Sequence, residues 1–317
     1  MLITIGSFDG FHKGHRELFR LCRSYAREND WAVITFSPHP AEYMRRLSHA
    51  LFTLRERELL RKVLDIPNMF ALNFDDAFMN LHARDFWELV RNRFDVDGLV
   101  TGSDFRFGRN AEGTANVLAD LAKHDGITNM HIVEIFNKPE YSSSNVRKAV
   151  TSGDIQVAQN ILGCPYFMMS RVIAGNQRGR KMNFPTANLD VKNRMTPKEG
   201  VYAAAVLVNG SYYCGAVSIG NNPTFDDVHE TRLEIHILDF AGDIYGAELP
   251  VFFLGRIRDM HTFSDKQALV HRINTDIEIC RTLYAQALSD NETRAFLERA
   301  KNIYTLENLD TEIIRLV

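Results

Sequence analysis

The sequence predicts an α/β fold followed by a β fold: a parallel, doubly wound sheet first, then an antiparallel β-barrel with a helical C-terminal extension. Three observations predict it. Up to about residue 162, short apolar runs alternate with amphipathic stretches, the βαβα rhythm of a parallel sheet covered on both faces. After Gly163-Cys164-Pro165, short strands follow one another through turns such as Asn209-Gly210. From Ser264 a helical pattern returns.

The elements follow in order. Leu2 to Ile5 is apolar throughout and reads as a buried first strand. A helical pattern comes next, with Leu18, Leu21, Cys22, Tyr25 and Ala26 on one face. Trp31 to Phe36 is a second strand, and Leu54 to Leu64 and Asp85 to Phe94 are helices. Gly98 to Thr101 and His131 to Ile135 read as buried strands, with a helix over Thr114 to Lys123 between them. Gly163-Cys164-Pro165 ends the last helix of this half and reads as the linker. Barrel strands are expected over Phe167 to Ile173, Gly200 to Val208, Tyr212 to Ile219, Arg232 to Asp239 and Leu249 to Leu254. Ser264-Asp265-Lys266-Gln267 is a capping-box pattern. The helix it opens has Leu269, Ile273, Ile277, Cys280 and Tyr284 on its apolar face. From about Ser289 the chain is charged but keeps Phe296, Leu297, Ile303, Leu306 and Ile313, which marks an extension packed on the barrel. The expected domains are therefore 1–163, 164–288 and 289–317.

Composition narrows the class. The 317 residues are 45% hydrophobic and 24% charged, ordinary for a globular protein and long enough for two cores. A net charge of −3 provides no basic field for nucleic acid. The four cysteines are far apart with no C-x-x-C pair, which suits buried thiols in a reducing, cytoplasmic setting. No apolar run approaches the roughly 20 residues of a membrane span, and the first residues lack a basic flank and a signal-length apolar run.

Gly6-Ser7-Phe8-Asp9-Gly10-Phe11-His12-Lys13-Gly14-His15 lies at the first strand-to-helix turn. The opening N–H groups of a helix lack partners, and the helix dipole adds positive potential, so such a turn binds anions. Gly10 and Gly14 let the backbone approach a phosphate. His12 and His15 add donors that can follow charge developing on phosphorus. The H-x-G-H spacing resembles the signature of the nucleotidylyltransferases, which points to a Rossmann-like domain.

The second half has phosphate chemistry of its own. Gly175-Asn176-Gln177-Arg178-Gly179-Arg180 is a glycine-containing basic loop, and Phe184-Pro185-Thr186-Ala187-Asn188 follows it. In an extended segment Thr186 and Asn188 share one side, pairing two hard oxygen ligands suited to Mg²⁺ on nucleotide phosphates. In Arg232 to Ile237, Leu233, Ile235 and Ile237 face the core while Glu234 and His236 face away. By alternation alone Glu234 is a solvated strand carboxylate.

Taken together, the chain resembles the bifunctional prokaryotic riboflavin kinase/FMN adenylyltransferase family. The resemblance rests on GSFDGFHKGH (6–15), FSPHPAEYM (36–44), TGSDFRFGRNAEG (101–113), YSSSNVRKAVTSGDIQVAQNILGCPY (141–166), GNQRGRKMNFPTANL (175–189), EGVYAA (199–204), IGNNPTF (219–225), RLEIHILDF (232–240) and RIRDMHTF (256–263). It covers residues 1 to about 285 and implies an N-terminal nucleotidylyltransferase domain and a C-terminal riboflavin kinase barrel. It implies riboflavin, FMN and ATP as ligands, Mg²⁺ as cofactor, and neither nucleic acid nor membrane as partner. The roles it implies are as follows. His12 and His15 act on the ATP phosphates, among nucleotide-binding Gly6, Phe8, Asp9, Gly10 and Gly14. Ser143, Ser144 and Arg147 hold nucleotide phosphates at a second helix start. Asp104, Phe105, Phe107 and Arg258 contact flavin. Gly175, Gly179 and Arg180 belong to the kinase's nucleotide loop, Thr186 and Asn188 hold the metal, and Glu234 is the base that deprotonates the ribityl 5′-hydroxyl.

Some positions depart from the family pattern. Ser144 stands for Thr, Tyr141 for Ile, Met182-Asn183 for Leu-Gly and Asp259 for Glu, and the sequence starts at the first strand where the family has a leading segment. None removes a catalytic group. Two other readings stay open on sequence: a monofunctional riboflavin kinase with an inactive nucleotide-binding domain, and a flavin-binding carrier or sensor without turnover.

Overall fold

The computed structural model describes residues 1–134, 140–174, 184–222, 230–263, 265–307, 309 and 313–314. The chain divides into two compact units, residues 1–142 with 308–317, and residues 143–307.

The first unit is built on a parallel sheet. Its strands are β1 (Leu2–Ile5), β2 (Trp31–Ser37), β3 (Asn68–Asn73), β4 (Gly98–Gly102) and β7 (Asn129–Val133), in the order β3-β2-β1-β4-β7. A small hairpin, β5 (Arg106–Phe107) with β6 (Gly113–Thr114), follows β4. The helices are α1 (Lys13–Tyr25), α2 (Pro40–Tyr43), α3 (Leu54–Val63), α4 (Asp76–Met79), α5 (Ala83–Phe94) and α6 (Ala115–His124). β1 pairs in parallel with both β2 and β4, so the strand order reverses there. In such sheets the crevice beyond the carboxyl ends at the reversal is where ligands bind. The segments leaving β1 and β4 both open into it.

The apolar pattern explains the core. Ile3, Ile5, Ile34 and Leu99 pack with Phe86 and Trp87 of α5. The Trp87 indole N–H is satisfied by Asp125 Oδ2 at 2.7 Å. The α1 face differs from the expected one. Leu18, Phe19 and Cys22 are buried, whereas Tyr25 is exposed and stacks on His131 with ring centroids 3.7 Å apart. β3 was not among the expected strands. The expected His131 to Ile135 strand is shifted to Asn129–Val133, and Ile135 lies outside the described residues.

The second unit holds a closed antiparallel barrel. Its strands are β8 (Phe167–Ile173), β9 (Ala187–Leu189), β10 (Gly200–Val208), β11 (Ser211–Asn222), β12 (Glu230–Ile237) and β13 (Glu248–Arg258), in the order β10-β11-β12-β9-β8-β13. Asn209 and Gly210 join β10 to β11 with φ of 49° and 76°. Both are positive, as the tight hairpin turn that matches strand twist requires. Helices α7 (Ser143–Ser152) and α8 (Ile155–Leu162) pack on this barrel. Lys198 N–H donates to Val150 O, and Gln156 Nε2 donates to Leu254 O. Gly163 closes α8 in the left-handed conformation. The helix end expected at 163 is therefore present, but it falls inside the second compact unit, and the division between units falls at 142/143.

Two long helices follow, α9 (Lys266–Ser289) and α10 (Asn291–Leu306). The cap of α9 is Asp265, which accepts from Ala268 N–H at 2.8 Å. The expected cap, Ser264, lies outside the described residues. On α9, Cys280 is buried in the small cluster with Ala203, Cys214 and Leu238. α10 lies on the barrel: Tyr212 OH donates to Leu297 O at 2.8 Å, and Tyr304 OH donates to Glu248 O at 2.9 Å. The extension does not end as helix. Ile313–Ile314 form β14, which joins the free edge of β3 in parallel (Ile313↔Ala71, Ile314↔Leu72). All four cysteines are free and buried.

A fragment of residues 143–307 is expected to unfold cooperatively and at a higher temperature than one of residues 165–307, which lacks α7 and α8. Thermal unfolding followed by circular dichroism compares the two, and equal midpoints would remove α7 and α8 from the barrel's stable core.

Candidate active sites

In the first unit, β1 delivers the chain to Gly6 and α1 takes it away at Lys13. Between them Phe8 and Phe11 adopt φ of 41° and 45°, left-handed values that non-glycine residues avoid. Phe8 and Phe11 are both buried against Phe19, and the edge of the Phe8 ring meets His15 with centroids 5.1 Å apart. A side chain at Gly6 would meet the Phe8 ring at 3.0 Å. Phe8 is thus an anchor of the turn, and what the turn presents outward is backbone. Asp9 is buried, and both its carboxylate oxygens accept from Leu51 N–H, at 3.0 and 3.1 Å.

His12 caps α1. Its Nδ1 accepts from His15 N–H at 3.3 Å, so in the neutral ring the proton sits on Nε2. The His12 and His15 rings stack, 3.5 Å between centroids and 22° between planes. Burial, with the Arg16 charge adding to it, lowers the His12 pKa to about 4. Burial also holds His15 well below the ordinary histidine value, with His12 next in effect. Both rings are therefore neutral near pH 7. His15 Nδ1 is buried without a partner among the described residues. A side chain at Gly14 would meet His12 Nδ1 and Tyr141 O at 3.1 Å, so only glycine lets the two histidines and the 141 segment close together. Gly10 lies buried within the same turn.

The His12 shift has a consequence for stability. Below pH 6.5 the unfolded chain takes up a proton that folded His12 refuses until about pH 4. Stability is thus expected to fall as the pH drops through that window. Urea unfolding of the first unit at pH 4.5 and 7 should show the loss, and His12→Asn should shrink it.

Beyond the carboxyl ends of β2 and β4 lies a cavity of about 420 Å³. Phe36, Phe74, Phe78, Phe86 and Phe107 line it, with Arg106 and Arg109 among its polar lining. Phe105 stacks on Phe107 at 5.5 Å, and Asp104 is exposed. Phe107 is the one expected flavin residue in the lining. The surrounding phenylalanines come from elements far apart in sequence, which motif reading had no means to collect.

In the second unit, β12 lies between β11 and β9, which sets Asn188 across from Glu234 on one side and Ser218 across from it on the other. Leu233, Ile235 and Ile237 are buried, so Glu234 and His236 project from the opposite face. Thr186 Oγ1 donates to Glu234 Oε2 at 3.3 Å, and His236 Nδ1 donates to Pro185 O at 2.8 Å. Thr186 and Asn188 therefore meet Glu234, which lies 48 positions beyond Thr186 in sequence, at one place. Thr186 also lines a cavity of about 260 Å³ with Val172, Ile235 and Tyr245.

Other expected residues are placed as follows. Ser143 and Ser144 open α7, with Arg147 one turn on, in the second unit. Arg258 is largely committed to Asp276 on α9, which accepts from its Nε at 2.9 and 3.1 Å and lies 2.8 Å from its Nη2. Gly175, Gly179 and Arg180, with Met182-Asn183, lie outside the described residues. No cluster of three or more His, Cys, Asp or Glu side chains able to hold a metal occurs among the described residues. No helix among them is long and apolar enough to cross a membrane.

Comparison with known proteins assigns a family to each half of the chain. The FAD synthetase family model matches residues 1–146, and the riboflavin kinase family model matches residues 162–284. The bifunctional riboflavin kinase/FMN adenylyltransferase of Listeria monocytogenes is 32% identical over 90% of this chain and 93% of its own length. That of Haemophilus influenzae is 33% identical over 89% and 94%, and that of Escherichia coli K12 is 32% identical over 87% and 90%. A crystal structure of a Streptococcus pneumoniae protein described as a macrolide-efflux protein superposes with a TM-score of 0.79 at 32% identity, covering 88% of this chain and 93% of that one. With both family models in tandem and relatives of this identity matched nearly end to end, the chain belongs to the bifunctional riboflavin kinase/FMN adenylyltransferases, transferases that phosphorylate riboflavin to FMN and adenylylate FMN to FAD with ATP.

Proposed function

We propose that the residues gathered at the two sites divide the two reactions between them. For FMN adenylylation, the turn over Gly6, Phe8, Asp9, Gly10 and Gly14 offers backbone N–H groups at the start of α1 to the ATP phosphates. His12 supplies its Nε2–H, and His15 supplies a second neutral imidazole. A phosphate oxygen of FMN attacks the α-phosphorus of ATP and pyrophosphate leaves. Donors held in a dry site stabilise the charge that grows on phosphorus. Ser143, Ser144 and Arg147, at the start of a ten-residue helix, are suited to holding nucleotide phosphates as well. The phenylalanine-lined cavity suits the planar isoalloxazine ring, with Phe107 on it and Arg106 and Arg109 near its phosphate, while Phe105, stacked on Phe107, and exposed Asp104 would meet the flavin from outside the lining.

For riboflavin phosphorylation, Glu234 takes the proton of the ribityl 5′-hydroxyl as that oxygen attacks the γ-phosphorus of ATP, and ADP leaves. The observation that carries this reading is the Thr186–Glu234 bond beside Asn188. It places a hydroxyl, an amide and a carboxylate together, oxygen donors of the hard type that suits Mg²⁺. The ion, when bound with ATP, would neutralise phosphate charge. The cavity beside Thr186 is suited to part of the nucleotide, Gly175, Gly179 and Arg180 are of the residue types that bind its phosphates, and Arg258, held by Asp276, would lie at the flavin end.

Incubation with riboflavin, ATP and Mg²⁺, followed by chromatographic separation of the flavins, tests the division. FAD is the expected product. FMN alone would mean an inactive first site, and unchanged riboflavin would mean a binding protein; the tandem family match disfavours both.

A further inference from the structure

The turn at residues 6–12 holds two non-glycine residues in left-handed backbone, Phe8 and Phe11. Conformations of this kind are strained for side chains with a Cβ and persist only where the surroundings over-determine them. What holds this turn is a brace from α3. Arg57 is 2% exposed. Its Nη1 donates to Thr35 Oγ1 at 2.7 Å and to Ser7 O at 3.2 Å, and its Nη2 donates to Phe36 O at 3.0 Å. Thr35 Oγ1 in turn donates to Ser7 O at 2.9 Å. The Ser7 carbonyl, one residue before left-handed Phe8, is therefore pinned from two directions. The brace is reciprocal. Asp9 accepts from Leu51 N–H, and Leu51 leads through Thr53, the cap of α3, to Arg57.

Energetics make the arrangement unusual. A buried guanidinium is normally paired with a carboxylate in contact. The hydrogen bonds of Arg57 go to Thr35, Ser7 and Phe36, none of them a carboxylate, and its Nε has no hydrogen-bond partner among the described residues. Burial lowers its pKa, opposed chiefly by Asp9. A cation kept under these conditions, bonded to two backbone carbonyls and one hydroxyl at the carboxyl ends of β1 and β2, points to a task in the site above it.

We propose that Arg57 is a positioning residue for FMN adenylylation, acting through Ser7 and Thr35 to hold the Gly6–His12 turn in the shape that receives the ATP phosphates. This rests on the reading of that turn as the phosphate site. Arg57→Lys keeps the charge and loses the planar fork, so its single nitrogen does not reproduce the two-nitrogen geometry that serves Ser7 O, Thr35 Oγ1 and Phe36 O.

The test uses the full chain with FMN supplied and measures kcat and KM for ATP in FAD formation. The KM for ATP in riboflavin phosphorylation on the same preparation is the internal reference. For Arg57→Lys, the KM for ATP in FAD formation should rise about three- to tenfold, as expected for one or two lost hydrogen bonds, while the reference stays within twofold. A merely structural role would lower the unfolding temperature and the active fraction, which moves apparent kcat and leaves KM alone. An unchanged KM for ATP in Arg57→Lys therefore overturns the proposal. Arg57→Met, which removes all donors and the charge, should raise KM further in whatever fraction folds, and a smaller effect than Lys would also overturn it. His15→Ala separates the two levels. Full adenylylation by His15→Ala defeats the phosphate-site reading itself, whereas its loss with normal KM in Arg57→Lys defeats the role of Arg57 alone.

Discussion

His15→Ala is expected to lower FMN adenylylation by about 100- to 1,000-fold, the usual cost of one donor to a developing oxyanion, and to leave riboflavin phosphorylation running. The size of the effect follows from where the ring sits. His15 stacks on His12 at 3.5 Å and meets the edge of Phe8, and its Nδ1 is buried without a partner among the described residues. Burial keeps both rings neutral, so each offers one N–H and one lone pair rather than a charge. Removal of the ring at 15 leaves the His12 cap without its stacking partner and the reacting phosphate without one donor. The product of such a variant fed riboflavin, ATP and Mg²⁺ should be FMN with little FAD. Near-normal conversion of supplied FMN to FAD would remove His15 from the site.

The same residues show what a sequence discloses and what it conceals. The turn at 6–15 is legible because glycine and histidine at a strand-to-helix junction have few other uses. The barrel strands are legible either as alternation, as in Leu233, Ile235 and Ile237, or as a continuous apolar run buried on both faces, as in Gly200–Val208. Two strands, Phe167–Ile173 and Gly200–Val208, have the expected limits.

What escaped reading did so for physical reasons. β3, Asn68–Asn73, begins and ends in asparagine, a residue depleted in strands. The run Arg55-Glu56-Arg57-Glu58 has the look of a solvated helix face, yet Glu56, Arg57 and Glu58 are all buried. Glu56 and Glu58 have local partners, Thr53 and Arg61, but the partners of Arg57 are Ser7, Thr35 and Phe36, which no local pattern brings near. Tyr25 continues the apolar stripe of α1, but tertiary packing gives its inner place to Phe19 and leaves Tyr25 stacked on His131. The division of compact units at 142/143 follows the packing of α7 and α8 on the barrel, which no local signal in the sequence announces.

Glu234→Gln is expected to collapse riboflavin phosphorylation by about 10²- to 10⁴-fold, the range for loss of a general base, while supplied FMN is still converted to FAD. The substitution is close to isosteric, and the amide oxygen can still accept from Thr186 Oγ1, so the meeting of β9 and β12 survives. The buried neighbours Leu233 and Ile235 hold the backbone register either way. What is lost is the ability to take the proton from the ribityl hydroxyl as it attacks phosphorus. KM for ATP should therefore change little and kcat should carry the loss, because the donor set of Thr186 and Asn188 remains. Thr186→Val gives the complementary pattern: the base stays, a hard oxygen ligand goes, and the loss should lean towards KM for ATP and a higher Mg²⁺ requirement. Steady-state rates of FMN formation over a range of ATP and Mg²⁺ distinguish the two. If Glu234→Gln kept kcat and raised KM instead, Glu234 would be a ligand of the nucleotide's metal ion, and the proton would have to leave by another route.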